Sequence, residues 1–237
     1  MRIIKIADLV IGLDNRYGYL DALIKGYESE PPVDLTVCAT DEQIEDEREM
    51  ADAEYSAGYL ESIVLYRNIA ERLPEYSGAV FHGAVIAHGG RAYAVTARSG
   101  VGKTTHLRLW LREFGDKVHI LNGDKPILRI INGTVMAAGT PWRGKECYGI
   151  NEMLPLSGIA FLERSSVNFC EPLTPSQAMI PFVSQLYVPR NAANAARALA
   201  LANKILSSTP LFRLGVNMDP EAAHVAFRAL VGEDENK

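Results

Sequence analysis

Ala97-Arg98-Ser99-Gly100-Val101-Gly102-Lys103-Thr104 is the stretch on which the reading of this chain turns. Arg91-Ala92-Tyr93-Ala94-Val95-Thr96, just before it, reads as a short buried strand. Thr105-His106-Leu107-Arg108-Leu109-Trp110-Leu111, just after it, reads as the opening of a helix. A Gly-rich turn between a strand and a helix points several backbone N–H groups at one anion, and the helix N-terminus adds the positive end of its dipole. Gly100 and Gly102 admit backbone angles closed to other residues and let the main chain approach phosphates. In such a loop, a Walker A pattern, Lys103 reaches the β- and γ-phosphates and the Thr104 hydroxyl ligates Mg²⁺. Ser99, Val101, Thr105 and His106 complete the expected nucleotide-binding set, with His106 placed at the first helical turn. Ala97 stands where the usual pattern has its first Gly; it is small enough to fit, and it is a departure.

The rest of the composition bounds the answer. A chain of 237 residues can bury a sizeable core, and 48% hydrophobic with 22% charged residues is ordinary for a globular protein. The net charge of −5 comes without a basic block, which argues against nucleic-acid or membrane-surface partners. Cys38, Cys147 and Cys170 show no paired spacing and suggest a reducing compartment. No run is long enough to span a bilayer, so a cytoplasmic location is expected. Nothing in the pattern excludes a homo-oligomer.

Outward from the loop, Ala79 to Ala87 reads as one strand, turned at Gly89-Gly90 into its hairpin partner Arg91 to Thr96. Lys117 to Leu121 is the next strand. Asn132-Gly133 joins a hairpin of Pro126 to Ile131 with Thr134 to Ala138. Ser157 to Leu162, Val167 to Leu173 and Leu211 to Val216 read as strands. Thr174-Pro175-Ser176-Gln177, Asn191 to Leu206 and Asp219-Pro220-Glu221 mark helices. Toward the N-terminus, Ile3 to Leu13 is a strand or strand pair, Tyr17 to Tyr27 a short helix and Val33 to Ala39 a strand. Thr40 to Gln43 is a capping box. Tyr55, Tyr59, Ile63, Tyr66, Ala70 and Leu73 form one apolar helical stripe, read as core or interface. The chain is thus α/β, with the loop domain (76–237) built on a mixed sheet and preceded by a small N-terminal α/β extension (1–75), the alternative being one continuous domain.

Phosphoryl transfer needs a metal, a group to orient the acceptor and positive charge on the migrating phosphoryl. Asp124, in Leu121-Asn122-Gly123-Asp124 at the end of the strand after the loop helix, is placed for Mg²⁺ coordination, general base, or both. Thr140-Pro141-Trp142-Arg143-Gly144-Lys145 sets Arg143 as a phosphate clamp and Lys145 as a point charge in a stiffened loop. His82, by composition alone, reads as a core histidine. The Ser residues show no nucleophile-elbow pattern, so hydrolase chemistry has no support.

Taken together, His82-Gly83, Gly89-Gly90, Ser99 to Thr104 and Asp124 resemble the catalytic half of bacterial HPr kinase/phosphorylase. Lys103-Thr104-Thr105 is closer to phosphoenolpyruvate carboxykinase, which shares the nucleotide-binding fold. The likeness covers residues 79 to 165 and is greatest to a broad HPr-kinase-related group. It implies a mixed-sheet fold of that type, ATP and Mg²⁺ as cofactors, a catalytic role for Asp124 and an active-site role for His82. HPr kinase has Ser-Glu after the Lys and a double Asp; Thr104-Thr105 and Gly123-Asp124 stand here, which argues against phosphorylase activity. No HPr-docking signature follows the hairpin, which argues against HPr itself as substrate. The expectation is an ATP- and Mg²⁺-dependent kinase acting on a hydroxyl acceptor: Ser of a peptide or protein, or a small metabolite. A non-catalytic ATP-binding regulatory module is the alternative from another class, and a carboxykinase-like enzyme is a third.

Overall fold

The structure, a computed structural model, describes residues 1–98 and 100–232. Among the described residues, two sheets carry the molecule. The smaller has three strands: β1 (Arg2–Ile6) antiparallel to β2 (Leu9–Asp14), and β2 parallel to β3 (Leu35–Cys38). Three helices accompany it: α1 (Tyr19–Leu23), α2 (Asp41–Glu49) and α3 (Ala57–Arg72). Thr40 caps α2 through the expected reciprocal box with Gln43.

The larger sheet has nine strands: β4 (Gly78–Val80), β5 (Ala84–His88), β6 (Arg91–Thr96), β7 (Val118–Asn122), β8 (Ile127–Ile131), β9 (Thr134–Ala138), β10 (Met153–Arg164), β11 (Phe169–Pro172) and β12 (Leu211–Val216). Its main path runs β4-β8-β9-β10-β6-β5-β7, with β12 pairing both β10 and β11. The mixture of directions turns on β10. Met153 to Pro155 pair antiparallel with β9, and from Leu156 onward the same strand runs parallel to β6, then parallel to β12. A strand of twelve residues therefore joins an antiparallel meander to a parallel core.

Helices cover both faces of that core. Along β6, Ala92 and Ala94 point to the core under α5 (Pro175–Val183) and α6 (Ala192–Ser208). Tyr93 and Val95 point to the core under α4 (Lys103–Phe114) and α7 (Glu221–Leu230). Such two-sided burial is why Ala-Tyr-Ala-Val reads as a continuous apolar run. A third core joins residues of the N-terminal segment, from Ile4 to Leu73, to Val80, Ile127, Ala138 and Trp142. Among the described residues, no helix is long and apolar enough to cross a membrane.

One expectation is corrected. Ala79 to Ala87 is not a single strand. Gly78–Val80 pairs with β8, Ala84–His88 pairs with β6 and β7, and the chain steps from one group of strands to the other at Phe81-His82-Gly83. Periodicity cannot register the step, because both halves are buried and apolar. Gly83 permits it: a Cβ there would sit 2.6 Å from the Phe81 ring.

Gly139, just beyond β9, is held as tightly. A Cβ there would collide with the Ile150 carbonyl oxygen and lie 2.5 Å from that of Leu121, both main-chain atoms without rotamer freedom. Gly139→Ala is expected to destabilise the fold by about 2–4 kcal/mol. Urea unfolding measures this, and a midpoint equal to wild type would show that the two carbonyls move apart at no cost.

Candidate functional site

The loop between β6 and α4 has the backbone its glycines permit. Gly100 has φ +78° and Gly102 φ +128°, the left-handed half of conformational space that L side chains rarely adopt. Gly102 is the helix cap, so Lys103 is the first residue of α4. The Lys103 ammonium folds back over the loop, donating to the Ala97 carbonyl at 3.1 Å and lying 3.4 Å from His82 Nε2. The same imidazole nitrogen is 3.5 Å from Asp124 Oδ1. A lysine, a histidine and a carboxylate from three separate elements thus meet at the end of the sheet.

Each is fixed by main chain. His82 occupies the step between β4 and β5. Its N–H donates to the Gln185 carbonyl at 2.7 Å, and its carbonyl accepts the Thr96 hydroxyl at 2.8 Å. Asp124 sits in a turn organised by Asn122, which is fully buried. Asn122 Oδ1 accepts the N–H groups of Asp124 and Lys125 at 2.8 and 2.7 Å. Asn122 Nδ2 donates to Thr140 O, Thr140 Oγ1 and Trp142 O at 3.0–3.2 Å. A side-chain oxygen bonding its own backbone two residues on is an Asx turn, and this one holds the carboxylate toward His82.

The Thr-Pro-Trp segment is clamped from the other side by α3. The Trp142 ring stacks on Tyr66 with centroids 4.1 Å apart, and its N–H donates to the Ser62 carbonyl at 3.0 Å. The Tyr66 hydroxyl donates to Lys125 O at 2.7 Å. Gly144, with φ +71°, packs directly on Asp124: a Cβ there would lie 2.9 Å from the Asp124 Cβ. The loop that carries Arg143 and Lys145 therefore covers the carboxylate. Arg143 is half-buried and donates to Gly149 O at 3.3 Å; Lys145 is exposed.

A cavity of about 920 Å³ opens between these elements, at the upper end of the range for small-molecule sites. Gly100, Gly102, Lys103 and Thr104 form one wall, His82, Asp124 and the Arg143–Lys145 loop another, and Tyr19, Tyr59 and Tyr66 of the N-terminal helices a third. Six Lys and Arg side chains line it against three Asp and Glu, in a chain of net charge −5. The sign of the cavity is opposite to that of the molecule, the arrangement that concentrates an anionic ligand. Burial holds the Lys103 ammonium below its ordinary pKa, with Asp124 pulling the other way. Burial, then the Lys103 and Lys125 cations, hold His82 below the ordinary imidazole value, again against Asp124. A cation held below its usual basicity regains it when an anion arrives.

The expected site residues fare unequally. His82, Gly100, Gly102, Lys103, Thr104, Asp124, Arg143 and Lys145 all line the one cavity. Ser99 lies outside the described residues. Val101 packs on the core under α4 and α7, and Thr105 is half-buried away from the lining. His106 is a correction: it is only 1% exposed and cannot touch a nucleotide or acceptor. It lies one helical turn before the fully buried Trp110, on the same face, and accepts the indole N–H on Nε2 at 2.9 Å. Asn122, Lys125 and Tyr66 also shape the site, Tyr66 from the helical stripe that the sequence reads as core or interface. Lys125 binds Asp124 Oδ2 at 2.9 Å. The Asn-Gly-Asp-Lys spelling hinted at the turn; nothing in the sequence indicated that Tyr66 would reach it across 59 residues.

No protein-family model matches the chain, and no curated protein matches it. Among solved structures it is similar to the Hpr(Ser) kinase/phosphatase from Coxiella burnetii, with 8% sequence identity over 64% of this chain and 93% of that one, at a TM-score of 0.37. A likeness that loose says nothing of activity.

The burial of His106 has a measurable consequence. Desolvation lowers its pKa from 6.5 to about 4, so the folded state binds this proton less readily than the unfolded chain. Its stabilising share is whole above pH 6.5 and is lost as pH falls toward 4, to a total of ~3 kcal/mol. His106→Gln keeps an acceptor for Trp110 and cannot titrate. Its unfolding free energy is expected to vary less over that window than that of wild type; parallel curves would assign the acid sensitivity elsewhere.

Proposed function

We propose that the chain is an ATP- and Mg²⁺-dependent kinase that moves the γ-phosphoryl group to a hydroxyl acceptor: Ser of a peptide or protein, or a small metabolite. The observation that carries this reading is the convergence of three groups on the wall of a cationic cavity: the His82 imidazole lies 3.4 Å from the Lys103 ammonium and 3.5 Å from the Asp124 carboxylate. On this reading the loop 97–104 cradles the phosphates. Its backbone N–H groups and the α4 dipole face the anion, and the basicity withheld from Lys103 by burial is restored by it.

Mg²⁺ fits the donor set. The Thr104 hydroxyl and the Asp124 carboxylate are hard oxygen donors on the same cavity, and the described residues contain no cluster of three or more His, Cys, Asp or Glu that could hold a metal ion alone. Sharing a metal between one carboxylate, one hydroxyl and substrate phosphates is how Mg²⁺ is commonly held. When bound it would neutralise charge on the β- and γ-phosphates.

The chain's own groups do the rest. Asp124 accepts the proton of the acceptor hydroxyl as that oxygen bonds to the γ-phosphorus. The bond from phosphorus to the β,γ-bridging oxygen breaks, and its electron pair leaves with ADP. His82, held neutral by burial and by Lys103, orients the carboxylate and can take the proton onward. Lys103 stabilises the charge spread over the migrating group, and Arg143 adds a planar fork once it exchanges the Gly149 carbonyl for phosphate oxygens.

Two substitutions test this. Lys103→Ala is expected to weaken ATP binding by roughly 10- to 100-fold, and unchanged affinity by titration calorimetry would sink the nucleotide site. Asp124→Asn should leave the thermal midpoint of the free protein nearly unchanged, because its contacts are the partly exposed Lys125 and His82. Phosphoryl transfer to acceptors, followed by phosphorus NMR, should drop by about 10²–10⁴-fold. Binding of ATP with no transfer to any acceptor by the wild-type chain would favour the regulatory module.

A further inference from the structure

The end of β10 reaches the loop from outside the cavity. β6 and β10 run parallel, with Phe161 opposite Thr96 in the last registered pair. β6 ends there, while β10 continues to Arg164, still paired with β12 through Val216. The extra residues carry Arg164 alongside the turn that follows β6. Its guanidinium donates to the Gly100 carbonyl from Nη2 at 2.6 Å and to the Val101 carbonyl from Nε at 3.1 Å. Arg164 itself is exposed and is not part of the cavity lining.

A planar trans peptide points its C=O and its N–H in opposite directions. Holding the Gly100 carbonyl therefore sets the direction of the Val101 N–H, and holding the Val101 carbonyl sets that of the Gly102 N–H. The first of these N–H groups closes a turn onto Arg98 O at 3.3 Å. The second is turned away from Arg164. With φ at +78° and +128°, Gly100 and Gly102 have wide backbone freedom, and two peptide planes between such residues rotate cheaply unless something outside grips them. The planar fork of an arginine can grip two neighbouring carbonyls at once, which a lysine cannot do with fixed geometry.

We propose that Arg164 is a positioning residue that presets the loop: it holds the 100–101 peptide plane in the turn that Val101 N–H closes on Arg98 O, and the 101–102 plane so that the Gly102 N–H is aimed before an anion arrives. This rests on the reading of loop 97–104 as a phosphate cradle. Arg164 touches no ligand. It lowers the cost of ordering the loop on binding.

Calorimetry with ADP and with inorganic tripolyphosphate, at low and high salt, tests it alongside hydrogen exchange of loop amides in the ligand-free protein. Arg164→Ala should leave the melting temperature unchanged, speed exchange of the residue 100–103 amides, and weaken both ligands by about 10-fold at either salt concentration. Arg164→Gln, a neutral donor, should recover part of the affinity and part of the protection. Wild-type exchange rates in Arg164→Ala would overturn the proposal. So would a loss of affinity that shrinks with salt and is recovered by Arg164→Lys and not by Arg164→Gln, since that is a direct charge on phosphate. If wild type binds neither ligand, the cradle reading fails, while the exchange measurement still decides whether Arg164 holds the loop.

Discussion

One buried amide ties this molecule together at its working end. Asn122 leaves β7 fully enclosed, and its side chain makes every bond it can: two main-chain N–H groups on its oxygen, three acceptors around its nitrogen. An unsatisfied amide at that depth would cost free energy comparable to several surface contacts, so the geometry around it admits few alternatives. Through its oxygen it sets the turn that bears Asp124. Through its nitrogen it holds Thr140 and Trp142, and so the loop that folds over Asp124. The same clamp passes to α3, where Tyr66 stacks on Trp142 and bonds Lys125 O. The N-terminal helix α3 is thereby tied to the turn that bears Asp124 and to the Thr-Pro-Trp loop.

The electrostatics follow from that placement. Bringing Lys103, Lys125, Arg143 and Lys145 around one carboxylate concentrates positive charge in a cavity of an acidic protein. Lys125 takes Asp124 Oδ2, which leaves Oδ1 toward His82. The imidazole is pressed from two directions, by burial and by the cations, and is kept neutral against the pull of the carboxylate. The histidine that composition alone reads as a core residue owes its place at the cavity to Gly83, because a side chain there would strike Phe81 and the chain could not step between strand groups.

β10 deserves comparison with the strands beside it, because it does two jobs along one length. Its first residues close the antiparallel meander that carries β8 and β9 toward the Thr-Pro-Trp loop. Its last residues extend the parallel core past the end of β6, where Arg164 meets the carbonyls of Gly100 and Val101. The same strand therefore borders both β9, which leads into the Thr-Pro-Trp loop, and the turn that follows β6.

Local chemistry was legible in the residues themselves. Glycines able to take positive φ, a strand before them and a helix after them are written in Thr96 to Lys103. The capping boxes at Thr40 and Thr174, the Asn132-Gly133 hairpin and the strand pair at the N-terminus need only neighbours in sequence to form. What depends on distant partners was not legible. The buried side of α4 swallowed His106, because the face that a helix presents to a sheet is settled by packing against Trp110 and the strands beneath. The break within residues 79–87 escaped a reading by periodicity, since two buried apolar strands and one look alike. Tyr66, Asn122 and Arg164 acquired their roles only when the chain brought residues 59, 20 and 64 positions away into hydrogen-bond range. By itself the sequence determined which segments could turn, cap and take positive φ, because those are properties of single residues and their immediate neighbours. The tertiary structure decided which side chains share the cavity, because long-range contacts depend on how burial and strand pairing settle for the whole chain at once.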